Sequence, residues 1–592
     1  MSALNITSEK QDLLSNNGSK ATKTNLYKAL PAVLFAFVFV FGVVTGAAGV
    51  QGYHYGRQRE LNESAATASD NNTPKRASLP TYSSNANDNL QQGHCWVCGE
   101  HSGSRKWNWW FGYGDCPCHE GWGGTCCETE LNPPAPKEEG IIYGSLGWPW
   151  NSDTTSEDRE WLKSFKNEVP KPNKADVDSS ILNPIIVFGG LASGTIEAKL
   201  TGITPNKIWC PSDSDWYKIW VSVVQMIPFV TLECTMDNLV PILSDDGKWG
   251  NRPGIETRTV DWGGVGSTIG VGPFYYFSHL FDSLKEYGYV SGETLHTAPY
   301  DWRFAPGAGQ DEWLEQTRNL IEETVANNGG RPADLIGHSM GCLMALDLLN
   351  LQTEEWRDHY VRKFVSQGCP WGGSANFVQS SASGYALGVP LLPPSILWPV
   401  QSAAPCGVWM YPTPDLWADD ELIVRTPSKD YTVANLDELL TDVGLPDSRI
   451  AYETVQQSSV IRRGNFADNA PLVDTYNLYG VGLASDESFE YAKDFNGGVS
   501  DPPKALSQSK GDGLVSIRSL ERAKMWKDAH DKKGVGLHSQ KFPCAEHISM
   551  THNIDVVDLT VAILLGDFCK DDEDCDIYKD GWDALDCGML LR

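Results

Sequence analysis

A serine flanked by glycines, in Gly337-His338-Ser339-Met340-Gly341, follows the short apolar stretch Leu335-Ile336 and runs straight into the helical pattern Cys342-Leu343-Met344-Ala345-Leu346. A strand that turns sharply through a serine into a helix is the sequence form of a nucleophile elbow, and Ser339 is the nucleophile it predicts. Small residues are needed at 337 and 341 because the serine backbone is strained in so tight a turn. The helix that begins there aims its unpaired N–H groups and positive dipole end at the point where acyl transfer builds negative charge. The Met340 N–H is therefore one candidate oxyanion donor. The other is the backbone N–H of Gly190, where the buried-type strand Pro184-Ile185-Ile186-Val187-Phe188 ends in the turn Gly189-Gly190-Leu191. A plain strand and turn would read the same way there.

A serine hydroxyl needs an imidazole to take its proton, and the imidazole needs a carboxylate to fix its tautomer. Beyond Ser339 the histidines are His359, His530, His538, His547 and His552. His547, in Glu546-His547-Ile548, precedes the apolar helical run Val556 to Leu565 and is the expected base. The expected acid is Asp512, between Gly511 and Gly513, after the apolar strand Val473 to Tyr479. Serine, acid and histidine then follow in the order this chemistry uses on a sheet of parallel strands. Gly-Asp-Gly is also an ordinary hairpin turn, and the alternative for His547 is a capping or surface histidine.

These residues need elements to hold them. A helical pattern from Tyr275 to Tyr287, an amphipathic helix from Asp311 to Ala326 and a buried strand from Val361 to Ser366 alternate with the strands already named. Such alternation specifies a mostly parallel sheet covered on both faces. The fold class is α/β: an α/β-hydrolase fold with lid or cap insertions over residues 181–568.

The chain of 592 residues has a net charge of −29, which leaves no basic face for nucleic acid and none for generic adhesion to anionic membranes. Any membrane association then comes from apolar segments, and residues 29–50 carry no charge over a length that crosses about 30 Å of hydrocarbon. They read as a transmembrane signal anchor, with a cleaved signal peptide as the competing reading. Residues 1–28 would form a cytosolic tail, and 51–93 a polar stalk. The 15 cysteines, together with the glycosylation acceptors Asn62 and Asn71, place the rest of the chain in the secretory or endoplasmic reticulum lumen, or outside the cell.

Residues 94–130 hold Cys95, Cys98, Cys116, Cys118, Cys126 and Cys127. The stretch Cys116 to Cys127 resembles the C-terminal half of an EGF-like module; a zinc knuckle with a neighbouring histidine is the alternative. A linker follows over 131–180. Residues 569–592 form an acidic tail with cysteines, either a solvated charge run or a weak calcium site. No cofactor or catalytic metal is called for, and the partner of the cysteine module is left open.

Several linked motifs resemble the lecithin:cholesterol acyltransferase family, which includes phospholipid:diacylglycerol acyltransferases and a lysosomal phospholipase/transacylase. They are Val187 to Leu191 with Ile196-Glu197-Ala198-Lys199-Leu200; Ala298-Pro299-Tyr300-Asp301-Trp302-Arg303; the elbow; Pro370-Trp371-Gly372-Gly373-Ser374; Tyr476 to Gly482; and Gly511-Asp512 with His547. The resemblance implies a Ser339, Asp512, His547 triad and a Cys210–Cys234 disulfide beneath a mobile, membrane-touching lid. That interval contains Trp216 and Trp220 within a run more apolar than a soluble loop displays; an ordinary buried hairpin is the alternative. Cys342 has family precedent as a free, buried, non-catalytic thiol. Phe188 departs from the family's usual proline, and the EGF-like module is not a usual family part.

The function so implied is a phospholipid-dependent O-acyltransferase acting on membrane phospholipid and a lipid alcohol, either sterol or diacylglycerol. A phospholipase A, with water as acceptor, uses the same chemistry. A non-catalytic surface or adhesion protein is the reading from another class. An N-terminal anchor suits the diacylglycerol branch, whereas Glu197-Ala198-Lys199-Leu200 and the tethered loop lie nearer the cholesterol and phospholipase branches.

Overall fold

A computed structural model describes residues 122–123, 129–130, 172–175, 177–220, 222, 225, 231–268, 276–386, 393–566 and 587. The chain divides into two units, residues 1–140 and 141–592. In the first unit, Trp122–Gly123 and Thr129–Glu130 form an antiparallel pair with Trp122 opposite Glu130. The segments expected to be an anchor (29–50) and a stalk (51–93), the rest of the 94–130 cysteine stretch and most of residues 569–592 lie outside the described residues. Among the described residues no helix is long and apolar enough to cross a membrane.

The second unit begins its strands and helices with β1 (Ile185–Phe188), β2 (Ile196–Leu200), β3 (Ser214–Trp220) and β4 (Ile255–Thr259). Next come helix α1 (Ser278–Glu286), β5 (Leu295–Thr297), α2 (Asp311–Asn327), β6 (Ala333–His338), α3 (Met340–Asn350), β7 (Val361–Gln367) and α4 (Ala375–Ser383). After the excursion strands β8 (Leu422–Arg425) and β9 (Asp430–Thr432) the chain returns through β10 (Asp474–Val481), β11 (Leu483–Glu490), β12 (Lys504–Gly511), β13 (Leu537–Pro543) and α5 (Ile554–Leu565).

Six strands make one parallel sheet in the order β13, β10, β7, β6, β1, β5. Their side chains alternate between two cores. Ile185, Val187, Ile336 and Val365 pack with Leu280, Phe281 and Leu284 of α1 and with the apolar side of α5. Ile186, Phe188, Leu335 and Phe364 pack on the opposite face with Trp313 and Ile321 of α2 and with α3. Because helices cover both faces, β1 and β6 are apolar and buried throughout rather than alternating. This is the α/β-hydrolase arrangement expected from the sequence.

Boundaries differ in instructive places. The helix expected from Tyr275 starts at Ser278, because Phe277 adopts a left-handed φ of 51° and ends helical propagation on that side. Asp512 follows β12, not the sheet strand β10 directly: the chain leaves β10 into β11 and returns along the antiparallel β12. β8, β9, β11 and β12 form a separate sheet beside the main one.

The interval expected to be a lid is not a loop from end to end. Its first part, β3, is hydrogen-bonded to β2 in an antiparallel sheet with β4. Cys210 and Cys234 are joined, with their Cα atoms 5.5 Å apart. The apolar run at 226–230 lies outside the described residues.

Charge also fixes the sheet. The Asp334 carboxylate, fully buried on β6, is gripped by Arg362, whose Nε donates at 2.8 Å and whose guanidinium also caps the Leu564 carbonyl of α5. Burial pushes the Asp334 carboxyl up while Arg362 opposes it. Arg362→Met, which leaves that carboxylate buried and unpaired, is expected to cost about 3–5 kcal/mol in urea unfolding. Asp334→Leu/Arg362→Met should recover most of it, and a double variant as unstable as the single would refute the account.

Candidate active site

The elbow explains its own glycines. Ser339 sits at φ 53°, ψ −127°, a conformation that costs a non-glycine residue roughly 1–3 kcal/mol and persists only where the surroundings enforce it. A Cβ at Gly337 would come within 2.8 Å of the Cys342 Cα, and one at Gly341 would press into the carbonyls of Phe188 and Gly189. The elbow helix thus crosses directly against the end of β1, which is why both positions lack side chains. The Phe188 ring, in the place of the family's proline, points to α2 and meets Trp313 edge-on at 6.0 Å.

The structure brings Ser339, Asp512 and His547 together. Ser339 Oγ lies 2.9 Å from His547 Nε2, and His547 Nδ1 lies 2.7 Å from Asp512 Oδ2. Asp512 is fully buried; its other carboxylate oxygen accepts from the Leu514 and Val515 N–H groups, so the carboxyl plane is fixed. Its backbone carbonyl accepts the His547 N–H at 2.9 Å, which ties the acid loop to the base loop. Gly368 lies under the pair: a Cβ there would come 3.4 Å from His547 Nδ1 and 3.5 Å from Asp512 Oδ2.

Burial works to lower the pKa of His547, but the facing Asp512 carboxylate and its hydrogen bond outweigh it and raise it above 6.5. Beside it the Glu546 carboxyl is pushed up by burial and accepts the Ile548 and Ser549 N–H groups, capping the turn that follows. His338, inside the elbow, is a second histidine at the site. Its Nε2 faces the His547 carbonyl at 2.9 Å, and burial holds its pKa down to about 3, so it is neutral.

Of the two expected oxyanion amides, Met340 N–H is the first of α3, where no intrahelical carbonyl is available to it. Gly190 N–H is 2.7 Å from the Tyr276 hydroxyl. The turn carrying Gly190 is strapped from several sides: Tyr300 donates to the Gly189 carbonyl at 2.6 Å, Ser193 to the Gly190 carbonyl at 2.7 Å and the Trp220 indole to the Ala192 carbonyl at 2.7 Å. Trp220, expected on a lid, is thus a buttress of this turn and packs on Trp302 at 5.2 Å. Trp216 stacks under the Arg258 guanidinium at 4.2 Å, on the sheet.

Cys342 is buried, as expected, but it is not a free thiol: it is bonded to Cys369, just past β7. The bond links the nucleophile turn to the segment beginning at Gly368. A further disulfide joins Cys544, three residues before the base, to Cys587 of the tail. His338, Tyr276, Tyr300 and Cys369 had no expected role; Tyr300 lies inside a motif already noted, whereas Tyr276 gives no local signal. Among the described residues no group of histidine, cysteine and carboxylate side chains could hold a metal ion.

The family model for lecithin:cholesterol acyltransferase matches residues 216–462. The mouse phosphatidylcholine-sterol acyltransferase is 32% identical over 411 residues, spanning 69% of this chain and 90% of that protein. This chain belongs to the lecithin:cholesterol acyltransferase family. The human lysosomal phospholipase A and acyltransferase is 28% identical over 65% of this chain and 90% of that protein, and its dog counterpart is 28% identical over 65% of this chain and 91% of that protein. Likeness to a solved structure, the Tle4–Tli4 complex, is lower at 13% identity and a TM-score of 0.37 over 64% of this chain and 98% of that one. The family's fold here rests on the sheet itself.

In histidine-detected NMR, His547 is expected to titrate above 6.5 and His338 to stay neutral down to about pH 4. Asp512→Asn should move the His547 midpoint downward, since it removes the charge that raises it. A midpoint unmoved by that change would contradict the assignment.

Proposed function

We propose that this chain is a serine-dependent O-acyltransferase that moves a fatty acyl group from a glycerophospholipid to a lipid alcohol, either sterol or diacylglycerol. The observation that carries the reading is the continuous hydrogen-bond path from Ser339 Oγ through His547 to a buried Asp512, in a member of this family. His547 takes the Ser339 proton as the oxygen attacks the ester carbonyl. The resulting oxyanion is stabilised by the N–H groups of Met340 and Gly190. Collapse expels the lysophospholipid, which receives the proton from His547 and leaves an acyl-Ser339. The acceptor alcohol then gives its proton to His547 and takes the acyl group, regenerating the serine.

Water in place of the alcohol makes the same site a phospholipase A. The relative named for both activities supports keeping that second outcome. Transfer is favoured where water is kept out, and Ser339 is 7% exposed.

In this reading the substrate is drawn from a membrane. Ile208 is fully exposed and Trp209 is 57% exposed, side by side and held by the Cys210–Cys234 disulfide, a suitable contact for a lipid surface. Residues 29–50, outside the described residues, would anchor the chain with its N-terminus in the cytosol, leaving 94–130 as an EGF-like module and 181–568 as a lumenal or extracellular catalytic domain.

The test is incubation of the full chain with acyl-labelled phospholipid in vesicles containing sterol and diacylglycerol. Label in sterol ester or triacylglycerol is the expected outcome and names the acceptor, whereas free fatty acid alone would make the protein a phospholipase. Ser339→Ala should lower release by about 10⁴-fold or more, and release that persists would overturn the serine mechanism. Turnover should also rise with pH along an acid limb centred above 6.5, because only neutral His547 can accept the proton. A flat profile through that range would argue against His547 as base.

A further inference from the structure

The Gly190 amide assigned above to the oxyanion already has a partner. The Tyr276 oxygen lies 2.7 Å from Gly190 N and 2.7 Å from His338 Nδ1. The direction of these bonds follows from the far side of the His338 ring. Its Nε2 is 2.9 Å from the His547 carbonyl, an atom that only accepts, so the ring proton is on Nε2 and Nδ1 carries a lone pair. The Tyr276 O–H therefore donates to Nδ1, and its oxygen accepts the Gly190 N–H.

A phenol oxygen that accepts from this amide takes the hydrogen bond that an ester carbonyl oxygen would need from it. We propose that Tyr276 is a resident occupant of the oxyanion site, displaced by the ester carbonyl of the substrate before Ser339 attacks. This inference rests on the reading of Gly190 as an oxyanion donor. In the arrangement described, Tyr276 is not itself a donor to the oxyanion. Its one proton is held by His338, and the other nitrogen of that ring is engaged by the base loop.

Three further observations fit an occupied site. Ser339 is buried, so the nucleophile is not waiting in an open cleft. Tyr276 keeps partial exposure and precedes the helix, while the next residue, Phe277, is fully buried and stacks on Phe281 at 5.8 Å, so the helix behind the tyrosine is anchored independently of it. Burial raises the Tyr276 hydroxyl and lowers His338, so the pair stays neutral and no charge has to be moved when the hydroxyl departs.

An occupant that must leave first lowers apparent affinity without touching the chemical step. Tyr276→Phe in the full chain, assayed with a soluble p-nitrophenyl ester, is therefore expected to lower KM by about fivefold, the factor for one neutral hydrogen bond, with kcat unchanged. A fall in kcat at constant KM would instead make Tyr276 a contributor to the transition state and overturn the proposal, as would no change in either constant. The wild-type chain supplies a second measurement. After reaction of Ser339 with an alkyl phosphonofluoridate, in which the serine oxygen bonds to phosphorus and fluoride leaves with the serine proton, a crystal structure should show a phosphoryl oxygen on Gly190 N and the Tyr276 hydroxyl moved away. A tyrosine still bonded to Gly190 in that adduct overturns the proposal. Ester turnover surviving in Ser339→Ala would overturn the acyl-enzyme reading itself, an outcome separate from any change at Tyr276.

Discussion

The contact of 2.9 Å between Ser339 Oγ and His547 Nε2 joins residues 208 positions apart, and much of the structure keeps that distance constant. Ser339 is carried at the end of β6 and His547 follows β13, with β7 and β10 between them in the sheet. Parallel strands of one sheet deliver their C-terminal ends to the same edge, so the serine and the histidine converge from distant sequence, while the acid is brought to them by β12 of the neighbouring sheet. The close turns are then fixed by absent side chains: Gly341 against the end of β1, and Gly368 beneath the Asp512–His547 pair.

Around this contact the polar groups are satisfied mainly by carbonyls and tyrosines, not by charge. The His338 ring bridges the Tyr276 hydroxyl and the His547 carbonyl, and Tyr300 and Trp220 hold the turn that carries Gly190. Charge is kept on the acid side of the base: the buried Asp512 carboxylate, with a smaller contribution from Glu546, raises the basicity of one imidazole while its neighbour His338 stays neutral. Two histidines 5.1 Å apart thereby acquire opposite tendencies from their surroundings alone.

The parts legible in the sequence are those with local signatures. The strand, strained serine and helix of the elbow form one continuous segment from Ala333 to Asn350, and the apolar runs of β1, β7 and α5 announce a sheet buried on both faces. Asp512 and His547 follow from chain order. The second sheet was harder to see. Trp216 to Trp220 looked like lid because of its apolar content, yet the alternation of Tyr217 and Ile219 with Trp216 and Lys218 has the period of a strand. Tyr276 and the Cys342–Cys369 bond carry no such trace, because each depends on a partner that only the fold brings near.

The order of the chain also bears on how the protein is made. The nucleophile turn needs β1, β6, β7 and α3, all complete by Gln367, whereas the imidazole arrives only with Glu546-His547, and its loop is then tied by Cys544 to Cys587, close to the C-terminus. A polypeptide emerging from the ribosome, or one cut short by premature termination, therefore carries the serine turn without its base. Chemical competence is acquired only when the chain through His547 has joined a serine turn that is already complete.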